Sequence, residues 1–332
     1  MCPGGPQMRQ IKPYLTYDQQ VDLLVSRGMT VPDRQAAIDA LCRIGYYRLS
    51  AYTYVFRPPA TDGEQSRRSD RFVEGTTFAH ALGLHDFDDR LRSVLQTGLQ
   101  QLEVALRTQV GHELGRKHPL AHLDPAHLDQ KRCAAPAERP RVPGGTAYDD
   151  WRGRFDDQVG DAIKTEDFVK HHLLNYGGQM PIWVAVEVMT FGTLTRLYGL
   201  LPNTEARTVA RNFSVDYRDL FSGWLRSLNT LRNECAHNAR IWNRATSYPA
   251  KKASTATLPT DLAHLVTTDN QRLYHRAAIT AHLLRAIDRQ TRWPQHFVEV
   301  VKKFPDNPSV TVERDMGFPT RWRTMDLWQP MR

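Results

Sequence analysis

Cysteine is scarce: the 332 residues hold four, Cys2, Cys42, Cys133 and Cys235, and no two of them form a C-x-x-C pair. So sparse a set excludes a disulfide scaffold and agrees with a reducing compartment. Long apolar runs are missing too. No stretch approaches the roughly 18 to 20 residues of a membrane span, and the first residues, Met-Cys-Pro-Gly-Gly-Pro-Gln, lack the apolar core of a signal peptide. These absences predict a cytoplasmic chain with no membrane partner. Neither G-x-S-x-G nor G-x-x-x-x-G-K occurs, which leaves nucleophile-elbow hydrolases and P-loop enzymes without support. There is no internal repeat and no convincing strand ladder.

What is present is a composition of 41 % hydrophobic and 24 % charged residues, ordinary for a globular chain of one large domain or two smaller ones. The formal charge of +8 and pI near 9.4 favour polyanionic partners, nucleic acid before acidic protein or membrane. Most of the cations are arginine, whose planar fork grips phosphate and stacks on bases. A GC-rich genome enriches arginine as well, so the bias alone names no ligand.

The apolar spacing predicts an all-α chain, taken here as an N-terminal helical segment over 1–75, a helical bundle over 76–292 and a C-terminal tail over 293–332. Thr16 with Gln19 forms a capping-box pattern before a short helix that stops at Gly28, and Asp33 caps a second helix ending at Gly45. The aromatic run 46–56 reads as a third helix. Its tyrosines and Arg48 suit base stacking or, more simply, core packing. Residues 58–71 read as an exposed loop. From Thr77 to Gly115, Phe87, Leu91, Val94, Leu95, Leu99, Leu102, Leu106 and Val110 hold one stripe of the longest helix. Five prolines near 116–146 predict a loop or insertion that interrupts the bundle. Helical pattern returns over 147–174, with Ile163 and Phe168 among its core candidates, and Glu187 stands out as a carboxylate embedded in an apolar stretch. Short helices are expected before and through 231–244, then a late helix over 273–287 and an irregular, proline-broken end.

The stretch 231–244 concentrates the polar chemistry. In continuous helical register Trp224, Leu228, Leu231, Cys235 and Trp242 make a buried face, and Asn233, His237, Arg240 and Arg244 share another side. Arg232 fits that side only through its long side chain or a distorted turn. Arg232-x4-His237 is a chemically competent pair for cutting RNA, in which the ribose 2′-hydroxyl attacks its own phosphate. A histidine titrates near neutrality and moves protons, and an arginine stabilises charge on the phosphoryl oxygens. Asn233 would orient the histidine or hold a phosphate oxygen. The spacing itself is weakly specific: 35 arginines and 13 histidines produce about one such pair by chance, and a second, Arg107-x4-His112, lies in the long helix.

Residues 231–243 resemble the R-N-x-x-A-H-x-x-R-x-x-N signature of the Abi-like abortive-infection family of bacteria, within the HEPN superfamily. Residues 44–52 resemble its I-x-Y-Y-R-L-S-x-Y segment. Residues 86–92 and 103–108 resemble Y-x-F-D-x-x-L-R and E-x-A-L-R-T, and 181–193 resembles P-x-W-x-x-x-E-x-x-x-F-G. The resemblance implies an all-α HEPN-like bundle, a role in defence against phage, and a metal-independent ribonuclease site that needs no cofactor. Carried over by position, Arg232 stabilises phosphate, Asn233 is the polar second residue and His237 transfers protons. Arg240, Asn243, Arg244, Arg107 and Arg48 are RNA-binding or supporting candidates. Arg107 matches a family position whereas His112 does not, so Arg107 and His112 stand as a possible second motif only. Such sites are often composite, implying a homodimer or pairing of motifs within one chain, with RNA as partner and a neutralising RNA or protein as a further one.

Two rival readings remain. One is a non-catalytic RNA-binding regulator whose same basic face holds a structured RNA, since fold does not fix function. The other is a metal site at His118, His122, His127 and Cys133, whose irregular spacing suits solvated loop histidines better.

Overall fold

The computed structural model describes residues 11–60, 68–138 and 140–330. Cys2 and positions 61–67 of the expected 58–71 loop lie outside them. Among the described residues the secondary structure is helical, with extended pairing limited to isolated bridges such as Thr30 with Thr77. The all-α expectation therefore holds.

The chain forms two compact units, 1–87 with 304–310, and 88–303 with 311–332. The first contains α1 (Tyr17–Ser26), α2 (Arg34–Ile44), α3 (Tyr46–Thr53) and the first residues of α4 (Phe78–Gly115). Both sequence-legible caps form. Thr16 Oγ1 accepts from the Gln19 amide at 3.2 Å while the Thr16 amide donates to Gln19 Oε1 at 2.9 Å, and Asp33 accepts from the Ala36 amide at 2.9 Å. Each cap satisfies helix-end amides and is worth about 1 kcal/mol. Val21, Leu24, Leu41, Leu49 and Tyr52 are buried, and Phe87 meets Phe304 edge-on with centroids 5.0 Å apart. Arg48 lies half-buried on α3.

The second unit holds the rest of α4, α5 (Gln130–Cys133), α6 (Ala147–Ala162), α7 (Asp167–Asn175), α8 (Ile182–Val188), α9 (Phe191–Leu200), α10 (Asn203–Asn212), α11 (Arg218–Ala236), α12 (Leu273–Ile287), α13 (Trp293–Val301) and α14 (Val312–Met316). Leu91, Leu95, Leu99, Leu102, Leu106 and Val110 form one buried stripe on α4, each burial worth about 1.5–3 kcal/mol. Gly98 lets α13 approach this helix: a Cβ there would lie 2.4 Å from the Trp293 indole nitrogen, which donates to the Val94 carbonyl at 2.7 Å. α11 packs against α9, α10 and α12, so its apolar face is enclosed on three sides.

Several local expectations change. The 116–146 segment contributes α5 and buries Ala121, His122, Leu128 and Cys133, so its prolines punctuate a packed element. α6 ends at Ala162, which leaves Ile163 and Phe168 on the surface at 39 % and 36 % exposure. Glu187 is exposed, because α8 turns that side outward and buries Ile182, Ala185 and Val186 instead. Residues 293–330 carry α13 and α14 and bury Phe318, Trp322, Leu327 and Trp328, aromatics whose burial outweighs the helix-breaking prolines between them.

Candidate active site

α11 is a single 19-residue helix, not a set of short ones, and it stops at Ala236. The stop is local. The His237 amide donates back to the Asn233 carbonyl at 2.9 Å, Asn238 takes a left-handed φ of 52°, and the Ala239 amide donates to the Glu234 carbonyl at 2.9 Å. Asparagine tolerates this conformation because its short polar side chain bonds locally. The helical register expected to run on to Arg244 is thereby broken. Asn233 and His237 share the outer side of the last turn, whereas Arg240 and Arg244 lie beyond it on non-helical chain, Arg244 closing a second turn through its amide to the Ile241 carbonyl at 3.3 Å. Trp224, Leu228, Leu231 and Cys235 are buried along the helix as their spacing predicts, and Trp242 reaches the core by the turn rather than by helical register. Burial pushes the Cys235 thiol up to about 12, so it is a packing group and not a nucleophile.

The chain after the turn is tied to α4. Asp88, fully buried, accepts from the amides of Ile241 (3.2 Å) and Trp242 (2.9 Å), and Arg92 Nη1 bridges Asp88 Oδ2 at 2.6 Å to the Ala239 carbonyl at 3.2 Å. Arg92 also pairs with Asp89. Buried charges require this density of partners, since each lost hydrogen bond would leave an unsatisfied group. A second buried pair, Arg276 Nη1 to Glu234 Oε2 at 2.8 Å, fixes the last turn of α11 to α12.

The two arginines of the sequence motifs meet at one carboxylate. Glu103, 7 % exposed at its side chain, accepts from Arg107 Nη2 at 2.6 Å through Oε1, and its Oε2 lies 3.6 Å from Arg232 Nε. Arg107 Nη2 also donates to the Met189 carbonyl at 2.9 Å, at the break between α8 and α9. Arg232 is 30 % exposed, with its Nε edge turned to Glu103. The contact is an ion pair without a hydrogen bond, since this buried Nε has no hydrogen-bond partner among the described residues, so Glu103 draws the guanidinium by charge alone.

His237 and Asn233 are exposed on this turn, His112 is exposed on α4, and Arg244 is exposed beyond the turn. Asn243 is half-buried and its carbonyl accepts from Arg272 Nη1 at 3.2 Å; Arg240 is half-buried. Arg232 and Arg107 are thus brought together, and Asn233 with His237, whereas Arg107 is committed to Glu103 and Met189 rather than to an imidazole. Sequence reasoning missed Glu103, Asp88 and Arg92. Their signal was present: Asp88/Arg92 and Glu103/Arg107 are acid-to-base pairs at i,i+4 on the flank of an apolar stripe.

The histidines of the metal reading separate. His118 stacks on His127 with centroids 4.7 Å apart, while His122 is buried against Trp151 and Phe155 and held down to about 3 by burial. Burial also raises Cys133 to about 11. Among the described residues no three His, Cys, Asp or Glu side chains converge as a ligand set, and no helix is long and apolar enough to cross a membrane.

A family model described as Abi-like protein matches residues 39–243, which spans Asp88, Glu103, Arg232 and His237. Comparison with curated proteins and with solved structures gave no match.

Proposed function

Since the chain belongs to the Abi-like protein family, we propose that it is a metal-independent endoribonuclease of a bacterial abortive-infection system, with a HEPN-like site at the C-terminal end of α11. The observation that carries this reading is that the end of α11 carries an arginine paired with a buried carboxylate and an exposed histidine on a latched turn. Arg232 faces the buried Glu103 in an ion pair at 3.6 Å, and His237 projects from a turn whose backbone is latched by Asp88 and Arg92. Rigid support of this kind is what a catalytic constellation needs and a loose basic surface lacks.

In the proposed reaction the ribose 2′-oxygen bonds to phosphorus and the P–O5′ bond breaks, leaving a 2′,3′-cyclic phosphate and a 5′-hydroxyl. One proton leaves the 2′-hydroxyl and one reaches the 5′-oxygen. His237 performs one of these transfers, and Arg232 stabilises the charge that grows on the phosphoryl oxygens through charge-assisted hydrogen bonds. Asn233 holds a phosphate oxygen or the substrate ribose. The nucleophile belongs to the RNA, so the step needs neither metal nor cofactor. A second copy of the chain supplies the second proton-transfer group, which makes a homodimer the working form.

One observation favours a binding-only role. Among the described residues no side chain hydrogen-bonds the His237 ring, so none of them fixes its tautomer. In that reading the same face holds a structured RNA without cutting it. The His237→Ala variant separates the two: loss of cleavage by about 10² or more with RNA binding retained supports catalysis, whereas equal cleavage by both proteins removes His237 from the chemistry.

A further inference from the structure

The outer face of α11 carries more than the end turn. Asp219, Ser222, Arg226, Thr230, Asn233 and His237 follow one another at steps of three or four, and so lie in one row along the helix. Three cavities of about 570, 410 and 610 Å³ open onto this row. They are contiguous: the first two share Asp219 and Lys251, and the second and third share Arg132, Ser222, Arg226 and Tyr248. The third reaches Asn229 and Thr230, one turn before Asn233. Gly223 lets residue 251 approach α11 closely, since a Cβ there would lie 2.9 Å from Lys251 Cβ.

The lining selects a polyanion. Seven cationic side chains face four carboxylates along the three cavities. Arg207, Lys251 and Lys252 are exposed and, among the described residues, have no carboxylate within ion-pair distance. Arg196, on the lining of the third cavity, pairs with Asp150 at 3.7 Å and donates to the Gly192 carbonyl at 3.2 Å, and desolvation together with the neighbouring Arg154 lowers its basicity. Two tyrosines stand beside these cations with exposed rings, Tyr217 at 49 % and Tyr248 at 38 %. Tyr248 is held in place, accepting from Arg226 Nη1 at 3.2 Å through its hydroxyl while its carbonyl accepts from Ser227 at 2.8 Å. Alternating cations and presented aromatic faces suit single-stranded nucleic acid, whose bases are unstacked and available, and give a duplex or an acidic peptide no use for the tyrosines.

We infer that this groove is a track for single-stranded RNA that delivers one strand, from one side, to Asn233 and His237. The inference rests on the ribonuclease reading for its direction, but the binding site stands on the groove alone. From Asp219 to His237 the helix rises about 27 Å at 1.5 Å per residue, which sets an upper limit of about eight nucleotides at the roughly 3.4 Å spacing of a stacked strand, and fewer where bases splay onto the tyrosines. The strand is therefore gripped asymmetrically about the cut.

The test uses the full chain, a labelled 12-nucleotide single-stranded RNA, the same RNA as a duplex, and poly-glutamate. The triple variant Arg207→Gln, Lys251→Gln, Lys252→Gln changes only exposed side chains and is expected to fold. It should weaken single-strand binding by about tenfold or more and flatten the dependence of log affinity on log salt by about two, at roughly 0.7 for each single-strand phosphate no longer neutralised. Tyr248→Ser should weaken binding by about tenfold, with Tyr248→Phe restoring it. Both variants should cut a dinucleotide at the wild-type rate while losing efficiency on the 12-mer. Unchanged affinity and salt slope in the triple variant overturn the track. So does duplex or poly-glutamate binding as tightly as the single strand. If the wild type binds the 12-mer through these residues but cuts nothing, the track stands and the catalytic reading falls; if it cuts the 12-mer and the triple variant does so equally, the reverse holds.

Discussion

Glu103 does the least obvious chemical work among the side chains around the motif, because its buried carboxylate receives both Arg107 and Arg232. Replacing it with Gln keeps the shape but removes the charge that both guanidiniums face, and an arginine displaced by about 1 Å loses about 10² in rate. We expect Glu103→Gln to lower the cleavage rate at saturating RNA by about 10- to 100-fold with RNA affinity little changed, measured on protein whose circular dichroism matches wild type. A well-folded variant cutting at the wild-type rate would remove Glu103 from the positioning of Arg232. Among the other titratable groups, His122 and His275 are held down to about 3 and about 4 by burial, against an ordinary value of 6.5. Both fold as neutral rings, so the unfolded chain binds more protons below pH 6.5. Their contribution to stability is complete above that pH and is lost as pH falls toward 4 and 3, by about 1.4 kcal/mol per pH unit for each group. Urea midpoints should drop between pH 7 and pH 5, and His122→Phe, which removes two ring nitrogens buried without hydrogen-bond partners among the described residues, should shrink that drop. A pH response unaltered by this substitution would contradict the assignment.

At the scale of elements, helices with long periodic stripes were legible and their ends were less so. α4 and α12 begin and end within a residue of where the stripe and its punctuation place them. α11 was harder, because its stop depends on Asn238 taking a left-handed conformation that glycine usually signals. Continuing the period past Ala236 put Arg240 and Arg244 in line with His237, a face the turn dissolves. The latch that holds this turn joins Asp88 to residues 153 and 154 positions away, beyond any local pattern. Glu187 has apolar neighbours in sequence yet is exposed, whereas the buried carboxylates Asp88 and Glu103 are each followed four residues later by the arginine that pairs with them on α4. The latch makes a prediction of its own. Asp88→Ala leaves the buried Arg92 with only the exposed Asp89 as charge partner and removes the carboxylate that accepts from the Ile241 and Trp242 amides, which should cost about 3–5 kcal/mol of stability and abolish cleavage at temperatures where the chain still folds. A variant with an unchanged urea midpoint would show that the turn is held by other interactions.

For the whole molecule, the charge of +8 favours a polyanionic partner without locating its site, and only the fold shows where these cations gather, since Arg132, Arg196, Arg226 and Lys251 come from four separate parts of the chain. The proposed dimer has the same origin in chemistry: two protons move per cut, and one His237 handles one of them. Mixing two inactive proteins, Arg232→Ala and His237→Ala, should regain part of the wild-type rate through mixed dimers, whereas a mixture as inert as its components would place a complete site within one chain. The central claim is that α11 presents a metal-independent ribonuclease site, and the most direct measurement is to incubate wild type and His237→Ala with mixed RNA in excess chelator and map the ends. The account predicts 2′,3′-cyclic phosphate and 5′-hydroxyl ends from the wild type alone, with cleavage down by about 10² or more in the variant. Intact RNA from a wild-type protein that binds it as tightly as the variant does would contradict it.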